Sequence, residues 1–363
     1  MNILYLSHLS GAAYAGPTYS VPKQIEAQSA FDQVFWYNAT VSKMAEWKKY
    51  PFYHDISEYP EESIHSLPEP FNNPDLIVVE LFYNMTRSRL CAELIFGKTP
   101  YIVIPRGELT KRAQARKSLK KKLANLLICN AYAKKAAAIQ YLTQQEYADS
   151  GGSWNGRHMV IPNGISVPVK MKTDFCRQGI QCVFIGRIEP EQKGLDLLIE
   201  ACAAARETLI AASCIIRICG PDREGRLADL KRLASQKRIE TLIRFENAVY
   251  GEDKEHLLLE SDVFILPSRF EGHSMALIEA MSYGLPCVVT TGSNMRAEVD
   301  ASSAGWTAES TVDSLAKALT TMCACKDFTS YGQNARKLAE QYAWDTIAKE
   351  SHLAFHNLVS ERA

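Results

Sequence analysis

The chain has 363 residues, 47% hydrophobic and 23% charged, with 41 basic and 41 acidic side chains. At roughly 100–200 residues per domain this length favours two domains, and the balanced charge argues against a protein whose main role is coating nucleic acid. No run of about 18 apolar residues occurs, and the opening Met-Asn-Ile-Leu-Tyr-Leu-Ser-His lacks the basic leader of a secretory signal, so a cytoplasmic protein without a transmembrane helix is expected.

The apolar runs alternate with helical periodicity along the first half. Residues 2–7 (NILYLS) form a short apolar run, followed by a polar loop from Ser10 to Thr18. A helix with Ser20 as N-cap and Pro22 in its first turn is expected next. Gln33–Tyr37, Asp75–Leu81 and Tyr101–Ile104 read as strands, and Thr86–Phe96 as a helix. A long basic helix is expected over about 113–135, then a strand at Ala138–Leu142. Thr143-Gln-Gln-Glu146 is a capping box that opens another helix, and His158–Pro162 is the last strand of this half. Ser166 to Gly179 is polar and weakly periodic, the best linker candidate.

The alternation then restarts. Strands are expected at Gln181–Ile185, Cys214–Cys219, Leu242–Glu246, Val263–Leu266 and Cys287–Thr290. Helices are expected between them at Leu195–Arg206, Arg226–Gln236, Asp253–Glu260 and Met275–Tyr283, with three more at about 312–325, 331–342 and 345–359. Apolar strands separated by helices imply parallel sheets covered on both faces. Ligands of such sheets bind outside the carboxyl ends of the strands, so a cleft between two doubly wound halves is the expected site. Ten cysteines are scattered singly with no CxxC pair, the pattern of buried free thiols in a reducing compartment.

Two segments concentrate the chemistry. In FIGRIEPEQKGLDLLIEA a strand ends at Ile185, and Gly186, Arg187, Lys193 and Gly194 follow before a helix. Arg supplies a planar donor fork and Lys a mobile point charge, a common pairing around phosphates; two solvated surface charges are the alternative. In SRFEGHSMALIEAMSYG a strand ends at Pro267 and a helix starts near Ser274 and Met275. The free amides of such a helix start and the positive end of its dipole suit an anion. Glu271 sits in the loop, beside Gly272 and His273, and Glu279 stands in an otherwise apolar helix, where a carboxylate would suit paired hydroxyls such as those of a ribose. A capped core helix with one exposed Glu is the bland alternative.

These segments, in this order, resemble the retaining glycosyltransferases of family 4. That family carries Gly-Arg and Lys-Gly at the start of its second domain, then Glu-Gly, a second Glu eight residues later, Ala-Met and Gly-x-Pro. This chain has Glu271-Gly272, Glu279-Ala280-Met281 and Gly284-Leu285-Pro286, together with Ile161-Pro162-Asn163-Gly164 and Cys219-Gly220-Pro221. The resemblance covers nearly all of 160–345 and is looser in the first domain.

The resemblance implies an α/β protein of GT-B fold, two doubly wound Rossmann-like domains facing a central cleft. An acceptor-side domain would span 1–165 and a nucleotide-sugar domain 166–344, with a terminal helix over 345–363 crossing back to the first domain. It implies that Arg187 and Lys193 hold the donor diphosphate, that Glu279 holds the ribose and that Glu271 meets the donor sugar. The amides near Ser274, Met275 and Ala276 would approach the phosphates. Gly16, in Ala15-Gly16-Pro17-Thr18, stands for the family's glycine loop. Where many members carry a functional histidine this chain reads Pro105-Arg106-Gly107, so Arg106 is the candidate there, and His8 a second one. The implied reaction is retaining transfer of a sugar from a nucleotide sugar donor to a glycan or lipid-linked acceptor, in cell-surface polysaccharide assembly. No metal or other cofactor is expected, since no Asp-x-Asp occurs and cationic side chains with helix amides can meet the leaving diphosphate. An epimerase or phosphorylase of the same fold, or a nucleotide-sugar-binding module without turnover, fits the same motifs.

Lys111, Arg112, Arg116, Lys117, Lys120, Lys121 and Lys122 cluster within twelve residues. The cluster reads either as a solvated helix face or as a contact with an anionic membrane leaflet, where each basic residue adds about 1 kcal/mol. No RNA-binding signature accompanies it, so no nucleic acid partner is expected. Residues 38–73 are irregular and rich in aromatics, among them Trp47, Tyr50, Phe52, Tyr53 and Tyr59, suited either to stacking on sugars or to packing on one another.

Overall fold

A computed structural model describes residues 1–12, 15–115, 128–176 and 178–362. The chain divides into two compact units, one of Met1–Gly164 with Trp344–Ala363 and the other of Ile165–Ala343.

The first unit is built on seven parallel strands: β1 (Asn2–Ser7), β2 (Gln33–Asn38), β3 (Tyr53–Asp55), β4 (Leu76–Glu80), β5 (Tyr101–Ile104), β6 (Ala138–Tyr141) and β7 (His158–Val160). Their order is β3-β2-β1-β4-β5-β6-β7. The central strands β1 and β4 are mostly apolar because both faces are covered. Leu4, Leu6, Ile77 and Val79 enter one core while Ile3, Tyr5, Leu76 and Val78 enter the other. Full burial of each aliphatic side chain is worth roughly 1.5–3 kcal/mol, so the central strands dominate the unit's stability. The C-terminal helix, Trp344–Ser360, contributes Phe355 and Leu358 to the second of these cores. At the chain crossing, a Cβ on Gly164 would stand 2.3 Å from the Trp344 ring.

The second unit has six parallel strands: β8 (Gln181–Ile185), β9 (Ile215–Cys219), β10 (Ile243–Glu246), β11 (Val263–Leu266), β12 (Cys287–Thr290) and β13 (Gly305–Ala308), in the order β10-β9-β8-β11-β12-β13. Both sheets therefore reverse direction of growth beside their first strand, between β1 and β4 and between β8 and β11. Such a switch point opens a crevice at the carboxyl ends of the strands.

Several expected elements differ in detail. The first helix spans Pro17–Gln28, with Gly16 at its N-cap and Pro17 in the first turn, so Ser20 is not the cap. The Ser20 hydroxyl donates instead to the Gly16 carbonyl at 3.2 Å. Pro22 lies inside this helix, and the carbonyl of Thr18 that its missing N–H leaves open accepts the Trp47 indole N–H at 3.2 Å. Thr86–Phe96 is a short 3-10 turn (Met85–Arg87) followed by the Leu90–Phe96 helix. The Leu195 helix breaks at Ala205 into Leu195–Ala204 and Arg206–Ala211. The capping box is one-sided. Thr143 Oγ1 accepts from Glu146 N, but the buried Glu146 carboxylate takes the amides of Leu142 and Gly107, and its burial raises its pKa despite these bonds. The segment 166–179 is irregular but is no free tether, because buried Lys172 pairs with Asp262 at 3.2 Å. Strands β3 and β13 and the helix Arg296–Ala301 were not expected at all.

Of the long basic helix, the structure describes helices at Lys111–Ala115 and Asn130–Lys135. Arg116, Lys117, Lys120, Lys121 and Lys122 lie outside the described residues. The aromatic segment before β4 packs mainly on itself and the sheet: Trp47 and Tyr53 are buried and meet Trp36 at ring-centre distances of 4.8 and 4.7 Å. All ten cysteines are free thiols. No helix among the described residues is long and apolar enough to cross a membrane.

Candidate functional site

The second unit's switch point gathers the charged loops. After β8 the chain passes Gly186 and Arg187, makes a short helix at Pro190–Lys193, and turns at Gly194 into Leu195–Ala204. Gly194 has φ +65°, and a Cβ there would lie 2.0 Å from the Pro267 carbonyl oxygen. Only glycine lets the loop after β8 come this close to the loop after β11.

That approach brings Lys193 to Glu271. Lys193 Nζ lies 2.6 Å from Glu271 Oε1, and the Ser268 hydroxyl donates to the same oxygen at 2.6 Å. Both side chains are largely buried. An ammonium has three donors, so one contact with Glu271 leaves Lys193 able to meet a second anion. Arg187 is 37% exposed and is steadied by Glu189 at 2.7 Å and by Gln192 at 3.0 Å. The Glu271–Gly272 turn is pinned from below: Asn294, in a left-handed conformation, donates its amide to the Glu271 carbonyl at 2.5 Å. Arg269 forks onto Asp196 at 2.7 and 2.8 Å and fixes the base of the loop to the neighbouring helix.

The helix after this turn spans Met275–Ser282, and Ser274 at its N-cap places no side-chain hydrogen bond on it. Its buried face is Leu277, Ile278, Ala280 and Met281, while Met275, Ala276 and Glu279 are only half-buried. The start of the helix and Glu279 therefore share one accessible face, which removes the apparent conflict of a carboxylate in a core helix. Lys254, from the helix Gly251–Glu260, lies 2.7 Å from Glu279 Oε1 and 2.9 Å from Oε2. His273 and Ser274 are buried, and the His273 ring lies 5.2 Å from that of Tyr342. Arg187, Lys193, Glu271, Gly272, His273, Ser274, Met275, Ala276 and Glu279 are thus all carried by the second unit, around its switch point.

Residues 173–338 match the family described as "Glycosyl transferases group 1". The matched stretch falls within the second unit. The resemblance to family 4 rests on the same residues. Among relatives, the chain is 32% identical over 133 residues to a putative colanic acid biosynthesis glycosyltransferase, WcaL, of Escherichia coli, covering 35% of this chain and 32% of that protein. It is 30% identical to the Escherichia coli UDP-Gal:alpha-D-GlcNAc-diphosphoundecaprenol alpha-1,3-galactosyltransferase, over 36% of each. The match thus spans about a third of the length of these curated relatives. Whole-chain structural likeness is broader. HepE of Anabaena in complex with UDP has a TM-score of 0.72 at 16% identity, covering 98% of this chain and 100% of that one. WaaG, described as a glycosyltransferase involved in lipopolysaccharide biosynthesis, has a TM-score of 0.65 at 14% identity over 97% and 99%. The fold is GT-B, with the sheets of seven and six strands as its two halves.

Around these motifs, Lys254, Asn294 and Arg269 are not legible in the sequence. Lys254 sits in the polar stretch Glu252-Asp253-Lys254-Glu255, which looks like any solvated helix face. Only the tertiary contact with Glu279 distinguishes it.

The first unit places its candidates differently. Gly16 is exposed at the start of the Pro17–Gln28 helix, and a Cβ on it would meet nothing within 4 Å. Arg106 is buried at 5% side-chain exposure against fully buried Glu80, with Nε 2.7 Å from Glu80 Oε2. Its Nη1 also donates to Asn163 at 2.7 Å and Ser20 at 3.2 Å, and its Nη2 to Gln24 at 2.8 Å. The expected catalytic use of Arg106 conflicts with this arrangement, because the guanidinium fork is committed to internal acceptors and ties four segments of the unit together. His8, at the end of β1, lies 3.5 Å from Glu62. Burial lowers its pKa below the usual 6.5, with the Glu62 contact opposing.

Proposed function

We propose that this protein is a retaining glycosyltransferase that moves a sugar from a nucleoside diphosphate donor to a glycan or lipid-linked acceptor. The observation that carries the reading is the coupling of Lys193 to Glu271 at 2.6 Å beside an uncapped helix start. One loop presents a cation for a diphosphate, and the other presents a carboxylate for sugar hydroxyls. Lys193, Arg187 and the amides of Met275 and Ala276 would hold the two phosphates. Glu279, oriented by Lys254, would accept from the ribose hydroxyls.

In the transfer, the bond from the anomeric carbon to the phosphate oxygen breaks, and its electron pair leaves with the diphosphate. The acceptor hydroxyl oxygen bonds the same carbon from the same face, and its proton passes to the departing phosphate oxygen. The leaving group gains negative charge as that bond opens, so fixed cations and helix amides favour the transition state over the ground state. These groups make a metal-independent route chemically sufficient. Assembly of a surface polysaccharide or lipopolysaccharide is supported by the names of WcaL and WaaG, and a UDP-sugar is the first donor to test because HepE is seen with UDP. On this reading the reaction takes place in the cytoplasm, and contact with the inner leaflet through Lys111–Lys122 would bring the enzyme to a lipid-linked acceptor.

The test is a transfer assay with labelled UDP-, GDP-, ADP- and dTDP-sugars against lipid extracts and oligosaccharide acceptors, with the product's anomeric configuration read by NMR. A labelled product whose configuration matches the donor supports the reading. Consumption of nucleotide sugar with no acceptor, giving an isomerised sugar, would assign the epimerase alternative. Nucleotide binding with no turnover on any acceptor would assign the binding-module alternative.

A further inference from the structure

Outside the glycosyltransferase motifs, the first unit carries a cluster that the proposed reaction does not use. Asp32 lies in the turn between the Pro17–Gln28 helix and β2, at the amino ends of β1 and β2 and so at the opposite ends of the strands from the switch-point crevice. His352 and His356 stand one turn apart on the C-terminal helix Trp344–Ser360, and an i, i+4 spacing puts both rings on one face. His352 Nδ1 lies 2.9 Å from Asp32 Oδ2, and His356 Nε2 lies 3.2 Å from Asp32 Oδ1. All three ligand-type atoms fall within 4.8 Å of one another.

We propose that Asp32, His352 and His356 form a structural site for a divalent ion of the zinc class, which staples the C-terminal helix to the first unit. Three lines support it. The donor set, two imidazole nitrogens and one carboxylate, is one that zinc takes with bonds of about 2.0–2.2 Å, leaving a fourth tetrahedral position for water. Ligand atoms so bound lie about 3.3 Å apart, and the 2.9 and 3.2 Å separations seen here need little adjustment to reach it. The carboxylate is also oriented from behind. Gln28 Nε2 donates to Asp32 Oδ2 at 2.6 Å, the Met1 amino group donates to Oδ1 at 2.8 Å, and the Asp32 side chain is fully buried; the Gln28 bond can hold the ligand in place for an ion, which would take over the Met1 contact on Oδ1.

The entry side is open, since His352 and His356 are 26% and 41% exposed while Phe31 packs along His352 at a ring-centre distance of 5.5 Å. The two histidines lie some 320 residues from Asp32 along the chain, and the whole second unit is inserted between them. An ion bridging them would lock the helix that closes the first unit, without taking part in sugar transfer.

The experiment uses the full chain, stripped with chelator, titrated with CoCl2 and then ZnCl2, alongside the variants His352→Gln and His356→Gln. Cobalt gives a visible ligand-field spectrum that reports coordination directly, and zinc displaces it. One ion is expected per wild-type chain, with a raised Tm. Each variant should bind roughly tenfold or more weakly and lose the ion-dependent rise in Tm, while its ion-free Tm and far-UV circular dichroism stay close to wild type. If one variant does not fold, the other carries the same comparison, since each removes one ligand. Failure of the wild type to bind one ion would overturn the proposal. So would binding that survives both substitutions, or a cobalt spectrum dominated by thiolate, which would place the ion on cysteines.

Discussion

The two units share one topology and use it in opposite ways. Each sheet is parallel and doubly wound with a switch point beside its first strand. At the second unit's switch point the charged groups are paired in short couples, the largely buried Lys193 with Glu271 and the more accessible Lys254 with Glu279. At the first unit's, Arg106 and Glu80 are buried and each guanidinium nitrogen donates to an internal acceptor. A surface couple can exchange its partner for a ligand at little cost, whereas a buried one is held by the desolvation penalty of whichever charge would be left behind. The first unit's crevice thus holds a structural lock, while the second unit's keeps a more accessible pair in Lys254 and Glu279.

The largest effect that would break this comparison is on Arg106. Arg106→Leu should destabilise the protein by about 3–5 kcal/mol, because Glu80 is left buried without its counter-charge; urea unfolding of the variant measures it. Loss of transfer activity with stability intact would instead make Arg106 a ligand-facing residue. Next in size, Glu271→Gln should lower kcat by about 100-fold or more if its carboxylate meets the reacting sugar, while leaving nucleotide diphosphate affinity nearly unchanged. A smaller effect is expected from Lys254→Met. Freed of its partner, Glu279 would lose its orientation, and KM for the donor should rise about tenfold with kcat little changed; an equal fall in kcat alone would count against a role in ground-state binding.

The smallest is a pH effect on the first unit. Burial depresses the pKa of His8 from 6.5 in the folded state. The unfolded chain then binds a proton at a higher pH than the folded one, so stability is full above about 6.5 and declines as pH falls toward the depressed value. His8→Gln should flatten that part of the stability–pH curve. A curve of the same slope in the variant would assign the pH dependence elsewhere.

The contrast also explains what was legible in the sequence. The second unit's site is written in two contiguous stretches, because each loop follows a strand that neighbours the switch point, and the spacing from Glu271 to Glu279 is a local helical property. Lys254 and Asn294 were not legible, since only the adjacency of their elements to β11 brings them to the site. In the first unit, strands β1, β2, β4, β5 and β6 announced themselves as apolar runs, but β3 is three residues long and has no such run. Arg106 is a site candidate in the sequence because it stands where the resembled family carries a histidine. Its partners Gln24, Glu80 and Asn163 come from distant segments, and no local pattern indicates that they converge. The sequence places Pro22 in a first turn rather than inside the helix because the compensating donor, the Trp47 indole, is likewise remote in sequence.

The central claim is that the loops after β8 and β11 hold a nucleoside diphosphate. It is tested most directly by calorimetric titration of wild type, Lys193→Ala and Glu279→Ala with UDP, GDP, ADP and dTDP. The account predicts that one of these nucleotides binds the wild type and that each substitution weakens it by about tenfold or more, since each removes a charge-assisted contact worth about 1.5–3 kcal/mol. Binding of that nucleotide with undiminished affinity in both variants would contradict the account.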